Sequence, residues 1–233
     1  MKSISIVIPA YNEEKRIQKT MEEYYSFFLQ KKIPFELIVV ANNCSDNTVS
    51  RVKKFSKKHS NCKLLNIPYR VGKGGAVKQG FRKACKDIVG FTDADNATPP
   101  EEFFKVLQGL SEADVAIGSR ALSDSTIKNQ PFYRRFLGIG FNRLVNLLFG
   151  LNLLDTQCGA KVFSARAAPV MQSVRSNFFE FDVELLWHVK KKGFSIKEVA
   201  VVWTDSPESK VNFWSIPKMF IGLLKIRFSK TKE

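Results

Sequence analysis

Ile88-Val89-Gly90-Phe91-Thr92-Asp93-Ala94-Asp95 is the stretch that decides the fold of this 233-residue chain. Its apolar half favours a buried β-strand, and the strand ends in two aspartates one residue apart. In an α/β sheet, ligands bind at the carboxyl ends of the strands, where Asp93 and Asp95 are expected to lie. Two such carboxylates can hold a hard divalent cation that neutralises a diphosphate. Taken alone, the pattern is more often a strand end with two solvated aspartates, so the rest of the chain has to decide.

The charge of the chain is its unusual compositional feature. There are 37 Lys and Arg against 22 Asp and Glu, a formal net charge of +15. This balance implies an anionic partner: nucleic acid, a phosphorylated substrate or an acidic membrane surface. The four cysteines show no C-x-x-C spacing, which argues against a zinc site or a disulfide framework and favours a reduced, cytoplasmic setting. We expect neither a signal peptide nor a transmembrane helix.

The first 120 residues alternate between predicted strands and predicted helices. Strands are expected over residues 3–8, 35–40, 63–67, 88–91 and 114–120, with helices between them. A short strand over 161–163, a helix over 181–192 and a strand over 196–203 follow. This order predicts an α/β fold with a mostly parallel sheet flanked by helices.

Two later stretches combine aromatic and basic residues. Residues 131–154 are amphipathic, apolar and basic, as an interfacial helix would be, although a helix facing the core fits the pattern equally well. The C-terminal stretch over 211–233 has the same mixture. Neither composition nor periodicity chooses between these alternatives.

Seven motifs occur in one order along the chain. They are VIPAYNE (7–13), VGKGGAV (71–77), DAD (93–95), GSR (118–120), DTQCGAK (155–161), FDVE (181–184) and ESKV (208–211). With these motifs the sequence resembles glycosyltransferase family 2, and within it the polyprenyl-phosphate sugar synthases. The pattern is nearest to the dolichyl-phosphate β-glucosyltransferases, and the dolichyl-phosphate mannose synthases are a near second.

The resemblance implies a GT-A fold, the Rossmann-like fold of nucleotide-diphosphosugar transferases, over residues 1–210. Residues 211–233 would form a membrane-contact tail. The implied reaction moves a hexose, with inversion, from a nucleotide sugar to a membrane polyprenyl (dolichyl) phosphate. Glucose from UDP-glucose is favoured, and a GDP-mannose-dependent mannose synthase or a family member that uses a hydroxyl acceptor are the alternatives.

The resemblance also assigns roles to single residues. Asp93 and Asp95 are expected to bind Mg²⁺ or Mn²⁺ with the donor diphosphate. Asp95, Asp155 and Arg120 are the predicted catalytic residues, with Arg120 on the acceptor phosphate. The other predicted contacts to the nucleotide sugar or its phosphates, besides Asp93, are Pro9, Tyr11, Glu13, Asn42, Asp46, Lys73 and Lys210.

Two loops carry predictions of their own. Relatives usually place two aspartates after the second strand, where this chain has Ala41 and Asn42. A single amide acceptor suits the one N3 proton of uracil better than the two protons that guanine presents, so Asn42 favours a uridine donor. The glycines at 72, 74 and 75 are expected to bring main chain close to a ligand.

The acceptor chemistry and the partners follow from the same implication. A phosphate monoester has a second pKa near ~6, so it is largely dianionic at neutral pH and needs no strong base. Catalysis should rest on positioning and on stabilising the leaving diphosphate. The enzyme should sit peripherally on the cytoplasmic face of a membrane, on an anionic lipid surface. A nucleic-acid-binding role would leave the DAD strand end unexplained.

Overall fold

The computed structural model describes residues 2–205 and 215–228. Within them, seven strands form one central sheet and two short strands form a separate pair. The strands are β1 (Ile4–Ala10), β2 (Phe35–Asn42), β3 (Cys62–Ile67), β4 (Ile88–Phe91), β5 (Val115–Ser119), β6 (Thr126–Lys128), β7 (Lys161–Phe163), β8 (Ile196–Ala200) and β9 (Val202–Thr204). The helices are α1 (Ile17–Gln30), α2 (Thr48–Lys58), α3 (Gly72–Lys83), α4 (Pro100–Gln108), α5 (Phe132–Phe149), α6 (Phe181–Lys191) and α7 (Ser215–Phe228), with short 3₁₀ helices at Gly109–Ser111 and Ala168–Ser173.

The central sheet has the strand order β3-β2-β1-β4-β7-β5-β8. All neighbouring pairs are parallel except those made by β7, which runs antiparallel between β4 and β5. Val162 of β7 therefore lies opposite Gly90 on one side and Ala116 on the other. The predicted mostly parallel sheet is confirmed. The carboxyl ends of β1, β2, β4 and β5 meet at one edge, and the residues that follow these strands build the site.

Helices cover both faces of this sheet. Along β1, Val7 faces one hydrophobic cluster while Ile6 and Ile8 face the other, the alternation of a strand buried on both sides. Helices α1, α2 and α4 contribute to the cluster on one face, and α3, α6, α7 and the end of α5 contribute to the other. All eight residues of β2 are buried, which explains its nearly continuous apolar sequence.

The sequence predicts one strand over 196–203, and this prediction is wrong because the structure has two strands there. The buried Val201 lies between β8, which belongs to the central sheet, and β9. The carbonyl of Val201 accepts a hydrogen bond from the Thr126 amide, and β9 pairs in parallel with β6, a strand that the sequence did not predict. Three-residue strands carry too few side chains to produce a recognisable alternation.

Helix α5 occupies most of the amphipathic stretch at 131–154. Only Val145 and Phe149 are buried, both near its end. Phe132 and Phe136 are 80% and 72% exposed. The sequence allowed either an interfacial helix or a helix facing the core. The core-facing alternative is wrong for the first half of α5. Among the described residues, no helix has the length and apolarity to cross a bilayer.

Glu36 gives the first testable prediction, which concerns stability. This carboxylate is 2% exposed and accepts hydrogen bonds from Ser5, Lys63 and the Cys85 amide at 2.6, 2.6 and 2.9 Å. Burial opposes ionisation, but these donors outweigh it and lower the pKa of Glu36 to about 2. Because the pKa in the unfolded chain is near 4.5, this stabilisation is complete above about pH 4.5 and is lost as the pH falls towards 2.

We expect Glu36→Gln to lower the free energy of unfolding by about 2 kcal/mol at pH 7. The loss should shrink in urea titrations repeated at decreasing pH, since both proteins are then neutral at this position. A loss that stays constant down to pH 2 would contradict the assignment.

Candidate active site

The DAD loop lies directly after β4, at the centre of the sheet edge. Lys73, from the first turn of α3, places its Nζ 2.6 Å from Asp93 Oδ1. Gly159 lies against the other side of Asp93, because a Cβ at that position would stand 2.0 Å from Asp93 Oδ2. Any side chain at 159 would therefore displace the carboxylate. The sequence analysis did not single out Gly159. Its place within the DTQCGAK motif is the one feature of the sequence that could have identified it.

The two aspartates of the loop titrate differently. Burial disfavours the charged form of Asp93, but the Lys73 ammonium outweighs it and keeps the pKa of Asp93 below its usual value. Among the described residues, no ammonium or guanidinium group forms an ion pair with Asp95. Burial, and next the negative charge of Asp93, raise the pKa of Asp95 to about 6. One carboxylate is thus neutralised by the protein, and the other carries a charge that a cation would stabilise.

Helix α1 holds the DAD loop in position. Thr20 Oγ1 donates to the Ala94 carbonyl at 2.8 Å. The Tyr24 hydroxyl donates to the Thr98 carbonyl at 2.7 Å and lies 3.0 Å from Thr92 Oγ1. Glu23 accepts from the side-chain amide of Asn96, which has a left-handed φ of 58°. Positions 20, 23 and 24 share one face of the helix, so α1 fixes both sides of Asp95.

The second prediction tests this support. Tyr24→Phe removes one hydroxyl and leaves the buried Thr98 carbonyl unpaired, which should cost about 1–2 kcal/mol of stability. We expect a divalent cation titrated onto the variant to bind about tenfold more weakly than to the wild type, because the loop carrying Asp95 is no longer fixed. Tyr25→Phe is the matched control, since Tyr25 packs in an aromatic cluster with Phe35 and Phe55. An unchanged affinity for the cation in Tyr24→Phe would remove the positioning role.

Arg120 and Asp155 form a tight pair next to the DAD loop. Arg120 Nε and Nη2 donate to the two Asp155 oxygens at 2.7 and 3.0 Å, and the Arg120 amide donates to Oδ2 at 3.0 Å. The guanidinium carbon lies 5.0 Å from the centre of the Trp203 ring. Burial opposes ionisation of Asp155, but Arg120 outweighs it and lowers the pKa of Asp155. The pair leaves Nη1 of Arg120 outside the Asp155 fork.

The segment before Asp155 is fixed by a carboxylate that the sequence did not reveal. Glu198 of β8 accepts hydrogen bonds from the amides of Leu154 and Asp155 at 2.8 and 2.9 Å. Glu198 lies 43 residues from Asp155, so only the pairing of β8 with β5 brings the two together. No local pattern could have identified it.

Lys161 and Asp182 form a second, fully buried pair. They are 0% and 2% exposed, and Lys161 Nζ lies 2.6 Å from Asp182 Oδ1 and from the Cys158 carbonyl. Burial raises the pKa of Asp182, while Lys161 and Lys73 act against this. The pair links the DTQCGAK segment to the first turn of α6. Asp182 is therefore held by a cation and does not project into open solvent as a free base.

The glycine-rich start of α3 contacts protein. A Cβ at Gly72 would stand 2.1 Å from the Asn177 carbonyl, and one at Gly74 would stand 2.6 Å from Phe181 Cβ. The Gly74 amide donates to the Asn177 carbonyl at 2.9 Å. Packing against residues 176–178 and α6 accounts for glycine at 72 and 74, and the approach of this main chain to a ligand stays a prediction. The glycines in the sequence indicate that another group packs closely against this main chain, but the sequence does not identify that group.

The loops after β1 and β2 join at the outer part of the site. Asp46 accepts hydrogen bonds from the Glu14 and Thr48 amides, both at 3.0 Å. Glu13 is paired with Arg16. Asp46 and the residues from Asn12 to Arg16 line a cavity of about 120 Å³. Tyr11 is 41% exposed beside this region.

Asn42 is buried at the end of β2. Its Oδ1 accepts a hydrogen bond from the Val71 amide at 2.9 Å and so connects β2 to the loop before α3. The acceptor atom that was predicted to read the nucleotide base is therefore engaged with main chain. A base contact through this atom would have to use its second lone pair, beside the bond from Val71.

The predicted residues fall into two groups in the structure. Asp93, Asp95, Lys73, Arg120 and Asp155 converge after β4 and β5, with coulombic coupling between Asp93 and both Lys73 and Arg120. The second group surrounds the loops after β1 and β2 and comprises Pro9, Tyr11, Glu13, Asn42 and Asp46. Lys210 lies outside the described residues, as do residues 211–214 and 229–233 of the predicted tail, and α7 occupies the rest of that tail.

Asp93 and Asp95 are the residues that could hold a metal. Carboxylate oxygens suit a hard divalent cation, and burial together with the charge of Asp93 raises the pKa of Asp95, so a bound cation would stabilise its ionised form. The buried Asn96 Oδ1 on the same loop also lacks a hydrogen-bond partner within the described part of the chain. No three His, Cys, Asp or Glu side chains converge among the described residues, so the other ligands would come from a bound diphosphate and water.

Comparisons with known proteins agree with this arrangement. The family model described as Glycosyl transferase family 2 matches residues 5–169. The dolichyl-phosphate beta-glucosyltransferase of Drosophila melanogaster is 36% identical over 96% of this chain and 74% of its own length. The protein of the same name from Homo sapiens is 35% identical over 97% and 75%. Glucosyl-3-phosphoglycerate synthase from Mycobacterium tuberculosis, solved with Mn²⁺, UDP-glucose and phosphoglyceric acid, superimposes with a TM-score of 0.71 over 97% of this chain and 78% of its own, at 18% identity.

Proposed function

Because this chain belongs to glycosyltransferase family 2, we propose that it transfers glucose from UDP-glucose to a dolichyl or related polyprenyl phosphate, with inversion. The observation that carries this proposal is similarity over almost the whole chain to relatives named for that reaction. The GT-A fold predicted from the sequence is confirmed. The described part of the site brings five predicted residues together at one sheet edge: Asp93, Asp95, Lys73, Arg120 and Asp155.

The donor would lie across the two groups of site residues. Its nucleoside would contact the loops after β1 and β2, where Tyr11 offers an exposed ring and the 120 Å³ cavity opens. Its diphosphate would reach the DAD loop. A divalent cation held by Asp93 and Asp95 would supply charge neutralisation for the leaving diphosphate. The Mn²⁺ and UDP-glucose bound by the structural neighbour support this choice of donor and ion.

Lys73 and Arg120 supply the fixed positive charge of the centre. Lys73 keeps Asp93 ionised and orients it, while Arg120 is held by the Asp155 fork and by Trp203. Nη1 of Arg120, which lies outside that fork, would bind the acceptor phosphate and aim one of its oxygens at the anomeric carbon. Asp155 is then an orienting residue for Arg120.

The state of Asp182 supports a phosphate acceptor. Its carboxylate is buried against Lys161, so it is poorly placed to remove a proton from a hydroxyl group. A phosphate monoester with a second pKa near ~6 requires no such step at neutral pH. The new bond forms from an oxygen that is already ionised, and the nucleoside diphosphate leaves as the sugar centre inverts.

We further propose that α5 contacts the membrane that holds the acceptor. Phe132, Tyr133 and Phe136 project from its first half and are 60–80% exposed. Arg134 in the same turn pairs with Asp205, which anchors this end of the helix to the residue after β9. Exposed aromatic residues on a basic helix are suited to the interface of a bilayer. The cytoplasmic face is the side we propose.

The third prediction concerns this helix. Phe132→Ser together with Phe136→Ser should weaken binding to vesicles about tenfold or more, because two aromatic side chains no longer enter the interface. Transfer to a short, water-soluble polyprenyl phosphate should keep its wild-type rate. Leu29→Ser is the control, since Leu29 is 59% exposed on α1. Equal vesicle binding by the double variant and wild type would exclude α5 from the contact.

A donor-by-acceptor screen tests the proposed function itself. Labelled UDP-glucose or GDP-mannose would be supplied with Mg²⁺ or Mn²⁺, with a polyprenyl phosphate in detergent or with phosphoglyceric acid. We expect label to enter the lipid phase from UDP-glucose. Lipid product from GDP-mannose alone would overturn the donor, and product only on phosphoglyceric acid would overturn the acceptor class.

A further inference from the structure

A groove of about 460 Å³ opens between the C-terminal ends of α5, α6 and α7. Trp187 lines it and is held edge-on to Phe149, with 5.5 Å between ring centroids. Leu147 stands at its rim and is 82% exposed. The groove is separate from the reaction centre, because α6 carries Asp182 in its first turn and Lys191 in its last. At 1.5 Å per residue, these two positions are about 14 Å apart along the helix.

Two cations are fixed at the wall of this groove. Lys191 Nζ lies 4.1 Å from the centre of the Trp187 ring. Arg227 of α7 donates from Nε to the Leu148 carbonyl at 3.0 Å, and within the described part of the chain its two terminal guanidinium nitrogens make no hydrogen bond. None of the described residues that line the groove is acidic. The groove therefore places two positive charges beside the apolar side chains of Trp187 and Leu147.

We propose that this groove binds the head group and first methylenes of an anionic phospholipid. A phosphodiester would accept hydrogen bonds from Arg227 and Lys191, and the glycerol and first acyl carbons would pack on Trp187 and Leu147. Leu147 lines the groove, and Phe228, next to Arg227 on α7, is 73% exposed. A volume of about 460 Å³ is large enough for a lipid head group.

This inference rests on the membrane docking proposed for α5 and adds a defined lipid site to it. The site would hold the bulk lipid beside the enzyme, at a distance from the acceptor phosphate. It would orient the molecule on the bilayer so that the sheet edge with the DAD loop faces the acceptor. The acceptor itself is bound elsewhere, by the residues around Arg120.

The test compares two double variants that lose the same charge. Lys191→Gln with Arg227→Gln changes the groove, and Lys53→Gln with Lys57→Gln changes exposed lysines on α2, which packs on the opposite face of the sheet. Binding would be measured to phosphatidylcholine vesicles with and without phosphatidylglycerol. Each cation near an anionic surface is worth about fivefold, so the groove variant should bind the anionic vesicles about 30-fold more weakly. The α2 variant should change by less than about threefold.

A fluorescence measurement separates a lipid site from general charge attraction. Phosphatidylglycerol brominated in its acyl chains should quench wild-type fluorescence in vesicles, and Trp187→Phe should lose most of that quenching. Equal weakening of both double variants, or undiminished quenching in Trp187→Phe, would overturn the site. Transfer to a water-soluble polyprenyl phosphate should stay at the wild-type rate in all groove variants. Failure of the groove thus leaves the transferase activity in place, whereas absence of transfer in the wild type would refute the proposed function.

Discussion

Asp95→Asn is expected to reduce glucosyl transfer by about 1,000-fold while leaving the fold intact. The amide keeps an oxygen that can accept from the Ala97 amide, the bond that now shapes the turn at 3.1 Å. It lacks the negative charge that would hold a divalent cation against the leaving diphosphate. Losing one preorganised charge at a reacting centre typically costs two to three powers of ten in rate.

The same variant should be at least as stable as the wild type without ligands. The pKa of Asp95 is raised from 3.8 to about 6, so its ionised form costs the folded state free energy above pH 6. That cost disappears as the pH falls below about 4, where the side chain is protonated in both states. The difference in melting temperature between Asp95→Asn and wild type should therefore be largest at neutral pH.

Thermal unfolding with ligands completes this test. Mn²⁺ with UDP should raise the melting temperature of the wild type and leave that of Asp95→Asn unchanged. Asp124→Asn is the control, because Asp124 is exposed in the loop after β5 and should behave as wild type in both assays. Near-normal transfer by Asp95→Asn would withdraw Asp95 from the metal site.

Arg120→Met is expected to lower both activity and stability. The methionine side chain cannot pair with Asp155, so that buried carboxylate, which is only 7% exposed, becomes an unpaired charge. This should lower the free energy of unfolding by about 3 kcal/mol. Transfer should fall by at least about 100-fold, because the acceptor phosphate loses its guanidinium. Arg120→Lys should recover little of this, since an ammonium cannot reproduce the fork on Asp155.

The double variant Arg120→Met with Asp155→Asn separates the two effects. Removing both charges should restore much of the unfolding free energy in urea titrations, because no buried charge is left unpaired. Activity should stay at the level of Arg120→Met. Recovery of transfer along with stability would show that the pair serves only the fold.

The fold was predictable because it follows from local patterns that repeat. The strands that end in Asp93 and Arg120 are apolar runs followed by polar residues, and each belongs to an alternating series that only an α/β sheet explains. The placement of Asp93, Asp95 and Arg120 at one sheet edge was predictable for the same reason, since these residues follow strands, whereas Asp155 was singled out only by the resemblance of its motif. The exposure of α5 was not, because an amphipathic helix has one pattern whether its apolar face meets a core or a lipid.

The parts that were missed depend on contacts between distant segments. Glu198 supports Asp155, and Tyr24 supports the DAD loop from 68 or more residues away. Asn42 is a further example, because the oxygen that was predicted to meet the base also accepts a hydrogen bond from the Val71 amide. The tertiary packing of distant segments determines which residues become partners, and residue spacing in the sequence does not reveal that packing.

The antiparallel strand β7 also determines when the sheet can be completed. Strands β1 to β4 can assemble from the first 91 residues, but the free edge of β4 is filled only when residues 161–163 return to it. A growing or truncated chain that stops before β7 would expose that edge and the matching edge of β5. Because β7 joins these two edges, the halves of the active site mature together, late in synthesis. We therefore expect newly made chains to be most prone to aggregation just before the DTQCGAK segment folds.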